Sequence, residues 1–93
     1  MGAVEKKSVV DFTLLEPLGP MKRALIEVQD GETVDTTNEI TLDEGSYRVG
    51  TIHSVRAHVF ASGLAQEYSY ATNVLTKVTA NDSRDVIEIL FTT

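Results

Sequence analysis

The chain has 93 residues and a mass of 10.2 kDa, enough for one compact domain that hides about 60–70% of its unfolded surface, with little left for a deep active site. It contains no cysteine, which excludes disulfide scaffolds, thiolate zinc sites, iron–sulfur clusters and cysteine nucleophiles. Fourteen acidic residues against eight basic ones give a net charge of −6, and that disfavours phosphate-rich partners.

Residues 1–7 read as a mobile N-terminal arm and 8–93 as a single β-domain. Valine, isoleucine and threonine supply 27 of the 93 residues; β-branched side chains lose rotamer freedom in helices and fit a pleated surface. Period-two alternation then places the strands. Val9 to Glu16 carries Val10, Phe12 and Leu14 on one face and ends at Pro17-Leu18-Gly19-Pro20, because proline supplies no ladder donor. Arg23 to Gln29 sets Ala24, Ile26 and Val28 against Leu25 and Glu27, and Asp30-Gly31 is a turn dipeptide that tolerates positive φ.

The polar stretch Glu32 to Asn38 reads as a loop or a weak edge strand. Alternation resumes at Ile40 and Leu42, followed by a turn at Asp43-Glu44-Gly45-Ser46. Tyr47 to Ile52 and Ser54 to Ala61 are two strands, or one bent near Gly50. Leu64 to Ala71 reads as an irregular connection entering a strand. Val74 to Val78 alternates cleanly, Asn81-Asp82-Ser83-Arg84 turns, and Val86 to Phe91 is a last strand that is apolar on both sides. Seven to eight short strands without an amphipathic helix predict an all-β fold, a small antiparallel sandwich or barrel.

Chemistry-bearing residues are few. His53 and His58 are five positions apart, an odd offset, so in a continuous strand they face opposite ways and share no metal. No Gly-x-Ser-x-Gly elbow singles out a serine nucleophile. Seven of the fourteen acids lie between Arg23 and Arg48, where no base occurs. Asp30-Gly31-Glu32 with Asp35 departs from the EF-hand spacing, and a solvated acidic edge accounts for the run better than a calcium loop. The bases are scattered and no glycine-rich phosphate loop exists, so neither nucleic acid nor a nucleotide cofactor is expected. No run approaches the roughly 18–20 apolar residues of a membrane span. No cleavage site follows Lys6-Lys7, and the chain reads as a soluble, non-exported, cytoplasmic protein with no catalytic residues, no cofactor and no metal.

What remains is surface for association. Val9, Val10, Phe12, Leu14 and Leu15 near one end, and Val86, Ile87, Ile89, Leu90 and Phe91 near the other, exceed what a half-exposed edge strand needs. Either these strands are central and covered on both sides, or one face meets another subunit. The candidate interface residues are Val9, Val10, Phe12, Phe60, Tyr68, Tyr70, Leu90 and Phe91, the aromatic ones being typical anchors.

The run Lys22-Arg23-Ala24-Leu25-Ile26-Glu27-Val28, the threonine-rich segment through Asp35-Thr36-Thr37-Asn38, the strand Val55-Arg56-Ala57-His58-Val59-Phe60 and the alternating end together resemble small all-β phage virion proteins of the capsid decoration, or cement, type. That resemblance implies a homo-oligomer seated on a shell of major capsid protein, with the N-terminal arm as an anchor, in a virion made in the host cytoplasm. The competing expectation is a small carbohydrate-binding β-module that uses Tyr47, Tyr68 or Tyr70 as stacking platforms.

Overall fold

The alternating segments form two facing sheets in the computed structural model, which describes residues 3–43 and 48–93. In chain order the strands are β1 (Val4–Glu5), β2 (Val10–Leu18), β3 (Met21–Val28), β4 (Asn38–Thr41), β5 (Thr51–Val59), β6 (Ala65–Gln66), β7 (Tyr68–Ala71), β8 (Val74–Lys77) and β9 (Asp85–Thr92). One sheet has the order β1-β4-β8-β7 and the other β2-β3-β9-β5-β6. The all-β sandwich is as expected. The nine strands among the described residues exceed the seven to eight predicted, because the two-residue strands β1 and β6 are too short to show a period.

The core lies between the sheets. Ala24, Ile26 and Val28 of β3, and Ile87, Ile89 and Phe91 of β9, face Ile40 of β4, Leu42 beyond it, and Leu75 of β8, all of them buried. Each buried leucine or isoleucine contributes about 1.5–3 kcal/mol of transfer free energy. The period-two reading of β3 grouped the residues that face the interior; for β9, read as apolar on both sides, burial shows that Ile87, Ile89 and Phe91 are the inward set.

The two apolar ends differ in position, since β2 is an outer strand and the last strand an inner one. β9 is the central strand of the five-stranded sheet, hydrogen-bonded to β3 on one side and β5 on the other. Ile87, Ile89 and Phe91 face the core, while Leu90 lies half-buried on the outward face. Phe91 is 2% exposed and packs edge-on against Phe12, with ring centroids 6.2 Å apart.

Residues 3–7 differ from the mobile arm expected. Val4 and Glu5 pair in parallel with Asn38 and Glu39, and the Glu5 carboxylate accepts hydrogen bonds from the Thr41 N–H and hydroxyl, both at 2.8 Å. Lys7 pairs with Asp43 at 3.1 Å. A carboxylate held by two donors overrides the polar, strand-poor composition of this stretch. A single 3-10 turn, Lys7–Val9, then carries the chain from one sheet to the other.

The opposite side closes in a related way. β6 belongs to the five-stranded sheet and β7 to the four-stranded one, with Glu67 alone between them, so one extended segment passes from sheet to sheet. This is the irregular connection read at Leu64 to Ala71. The Tyr70 hydroxyl donates to His53 O at 2.9 Å and the Ile52 N–H donates to Thr72 O at 2.7 Å, which ties β7 onto the flank of β5.

Candidate interaction surface

The outward face of the five-stranded sheet can be built rung by rung from its register. Leu15, Arg23, Leu90 and Ser54 lie side by side across β2, β3, β9 and β5; Thr13, Leu25, Glu88 and Arg56 form the next rung; Asp11, Glu27, Val86 and His58 form the third. The apolar members sit among charges, and Arg23 Nε reaches Glu88 Oε2 at 3.3 Å while its Nη1 donates to Glu16 O. A cleft of about 340 Å³ opens on this face between Leu18 of the β2–β3 hairpin and Arg56 of β5, floored by Glu88 and Leu90.

The β2–β3 hairpin itself is apolar where it projects. Leu14 lies on the same side of β2 as Val10 and Phe12, opposite the fully buried Ala24, yet it is 56% exposed. Leu18 near the tip is 59% exposed. The hairpin narrows there through a register shift between Leu15 and Leu18, after which Gly19, with φ of 61°, makes the turn. Pro17 had suggested an earlier stop. An irregular pairing at a strand end accommodates proline, because no ladder donor is required at that point.

The expected interface residues divide accordingly. Val10, Tyr68 and Phe91, at 9%, 7% and 2% exposure, are part of the core and are removed from the candidate surface. Val9 is half-buried, and Phe12 is half-buried against that core. Leu90 is half-buried on the outward face. Phe60 and Tyr70 are exposed, but the Arg84 guanidinium stacks over the Phe60 ring at 3.9 Å and the Tyr70 hydroxyl is engaged at His53 O. The large apolar side chains exposed on the hairpin, Leu14 and Leu18, were absent from the expected interface residues: a strand pattern reveals which side a residue faces, not where the opposing sheet stops.

The strongest polar constellation is interior. Lys77 of β8 and Asp85 of β9 form an ion pair at 2.9 Å, with both side chains fully buried. The Lys77 ammonium also donates to Val34 O at 3.0 Å and Ser83 Oγ at 2.8 Å, so its three donors are used. Asp85 accepts from the Tyr68 hydroxyl and the Ser83 hydroxyl, each at 2.6 Å. Val34 and Ser83 exchange backbone bonds, which seats the loop after β3 over this cluster. With every strong donor and acceptor partnered, the cluster ties the sheets together and offers neither a free base nor an activated nucleophile.

Burial, together with the bond to Asp85, pushes the Tyr68 phenol well above its ordinary value. The unfolded chain therefore loses this proton near pH 10 while the folded chain keeps it, so the stabilisation is complete below pH 10 and declines as pH rises further. A tyrosinate absorbance titration is expected to show one late step that coincides with loss of the fold, and Tyr68→Phe is expected to abolish it. A late step that persists in Tyr68→Phe would contradict the assignment.

Elsewhere the titratable residues disperse. Asp30 approaches Arg84 at 3.6 Å, and Asp43 pairs with Lys7. Asp35 accepts from the Thr37 hydroxyl and N–H, and the hydroxyl bond first, then the backbone bond, holds its carboxyl below the usual range. Glu44 lies outside the described residues, as do Gly45, Ser46 and Tyr47. No three His, Asp or Glu side chains converge as a metal would require among the described residues.

His53 departs from the alternation argument. The ladder slips by one residue between Ile52 and Ser54, and His53 Nε2 shares a hydrogen bond of 3.1 Å with Thr92 Oγ1. A bulge breaks the period on which opposite faces were inferred.

No family model, curated protein or solved structure matches the chain. Among the described residues no helix is long and apolar enough to cross a membrane.

Proposed function

We propose that this chain is a non-enzymatic structural protein of a virion, a capsid decoration protein that stabilises a shell by docking apolar strand surface onto it. The observation that supports this reading is the β2–β3 hairpin, which holds Leu14 and Leu18 in water at 56% and 59% exposure. Exposed leucines grouped on one projecting element favour a protein partner, because their burial there returns the same transfer free energy as burial in a core. Since residues 3–7 are strapped along β4, the hairpin takes the anchoring role first expected of an arm.

The carbohydrate reading draws no comparable support. Tyr68 is interior and Tyr70 is committed to His53 O. Co-sedimentation with shells assembled from the major capsid protein of the same genome tests the proposal. Wild-type chain is expected in the pellet, and Leu18→Glu, a change at an exposed tip, in the supernatant with its fold intact. Wild-type chain that stays in the supernatant overturns it, as does a source genome without a major capsid gene.

A further inference from the structure

The open long edge of β2 makes a specific partner possible. Among the described residues, sheet order leaves β2 as an outer strand, and the other edges are short or tied down: β1 and β6 have two residues each, and β7 is fastened to β5. Natural edges are guarded by lysine, proline, bulges or charges that point into the pairing surface. β2 has its bulge and Pro17 only near the hairpin tip, and from Val10 to Leu15 its one charge is Asp11, on the outward face.

The direction of the exposed backbone follows from one hydrogen bond. The Gln29 N–H donates to Val9 O at 2.8 Å, so the odd-numbered residues of β2 turn their backbone groups toward β3, and Leu14 turns its N–H and C=O away from it. We propose that β2 pairs antiparallel with β2 of a second copy about a two-fold axis at Leu14, joining the two five-stranded sheets into one of ten strands. This rests on the association reading above and names the partner of that same surface as the chain itself.

The register is self-complementary. With Leu14 opposite Leu14 of the copy, Thr13 lies beside Leu15, Glu16 beside Phe12, and Asp11 beside Pro17, so no acid faces an acid although each chain carries a charge of −6. The two exposed leucines meet on the interior side, where they extend the core across the junction. Like charges directly opposite would be destabilising, and this arrangement avoids them. One edge strand per copy makes a contact at or below the small end of specific interfaces, which bury about 1,200 Å² in total, and a dimer in the micromolar to millimolar range follows.

The test is sedimentation equilibrium across that range, combined with cysteine variants of a chain that has no cysteine of its own. Residues opposite one another in a hydrogen-bonded antiparallel pair have Cα atoms about 5.5 Å apart, within disulfide reach. In this register the two copies of residue 11 are six positions apart, about 20 Å. Wild-type chain is expected to approach twice 10.2 kDa at high concentration, Leu14→Cys to form a disulfide-linked dimer with oxidised glutathione, Asp11→Cys to form none, and Leu14→Lys to remain a folded monomer. A wild-type monomer throughout, equal cross-linking of both cysteine variants, or a Leu14→Lys dimer overturns the pairing. A monomer that still co-sediments with shells removes the edge pairing and leaves the decoration role standing; a dimer that fails to co-sediment does the reverse.

Discussion

Asp85→Ala is expected to destabilise the fold by about 3–5 kcal/mol, because it strands a buried ammonium. A domain of this length has roughly 5–14 kcal/mol in total. Without the carboxylate, Lys77 keeps Val34 O and Ser83 Oγ as neutral acceptors but has no counter-charge, and the Tyr68 hydroxyl loses its acceptor. Lys77→Ala is expected to cost a similar amount, with Asp85 left as the uncompensated ion. The joint replacement Lys77→Met with Asp85→Leu is expected to recover most of the loss, since a well-packed apolar pair of similar volume often matches a buried ion pair. Urea denaturation of wild type, Lys77→Met, Asp85→Leu and the double variant gives the coupling; additive single losses in the double variant would show that the two side chains do not act as a pair.

Phe91→Ala is expected to cost about 3–5 kcal/mol through the cavity it leaves between the sheets. The ring stands on the central strand, against Phe12 of β2 and in register with Ile52 of β5, so its removal affects three strands at once. A fall in melting temperature of at least about 10 °C is the corresponding calorimetric result for a domain of this size. Phe60→Ala, at an exposed ring under Arg84, serves as the comparison and is expected to shift it much less. Equal shifts would mean that Phe91 is not the core residue its burial indicates.

These two positions show how far a strand pattern reaches. Alternation identified β3 and β9 as strands and grouped the inward residues of β3, since Ile26 differs from Glu27 in a way that water enforces; in β9, apolar on both sides, it left the inward side open. It could not reveal that Lys77 turns inward beside Leu75: the parity was correct, but a lysine on the inward side ordinarily reads as an edge residue, and its partner Asp85 comes from the other sheet. Sheet-to-sheet partners are invisible to a rule that compares neighbours along one strand. The same limit explains the docked residues 3–7, where Glu5 finds Thr41 across 36 positions, and the bulge at His53, which no turn residue announces. Leu14 and Leu18 were legible as apolar, yet their exposure depends on where the four-stranded sheet ends.

The central position of β9 has a kinetic consequence. The β2–β3 hairpin and β5 with β6 touch within their sheet only through β9, which comes after all of them in the chain. Until residues 85–92 are inserted, β3 and β5 each present a bare flank, and the sheet exists as two disconnected halves. Insertion closes a loop of more than fifty residues on the β3 side, the kind of non-local step that places β-sandwiches among the slower-folding small domains, in milliseconds to seconds. During that wait the apolar hairpin is exposed on both edges, so the yield of folded chain at high concentration is set by a race between β9 and a neighbouring molecule for the same flank of β3.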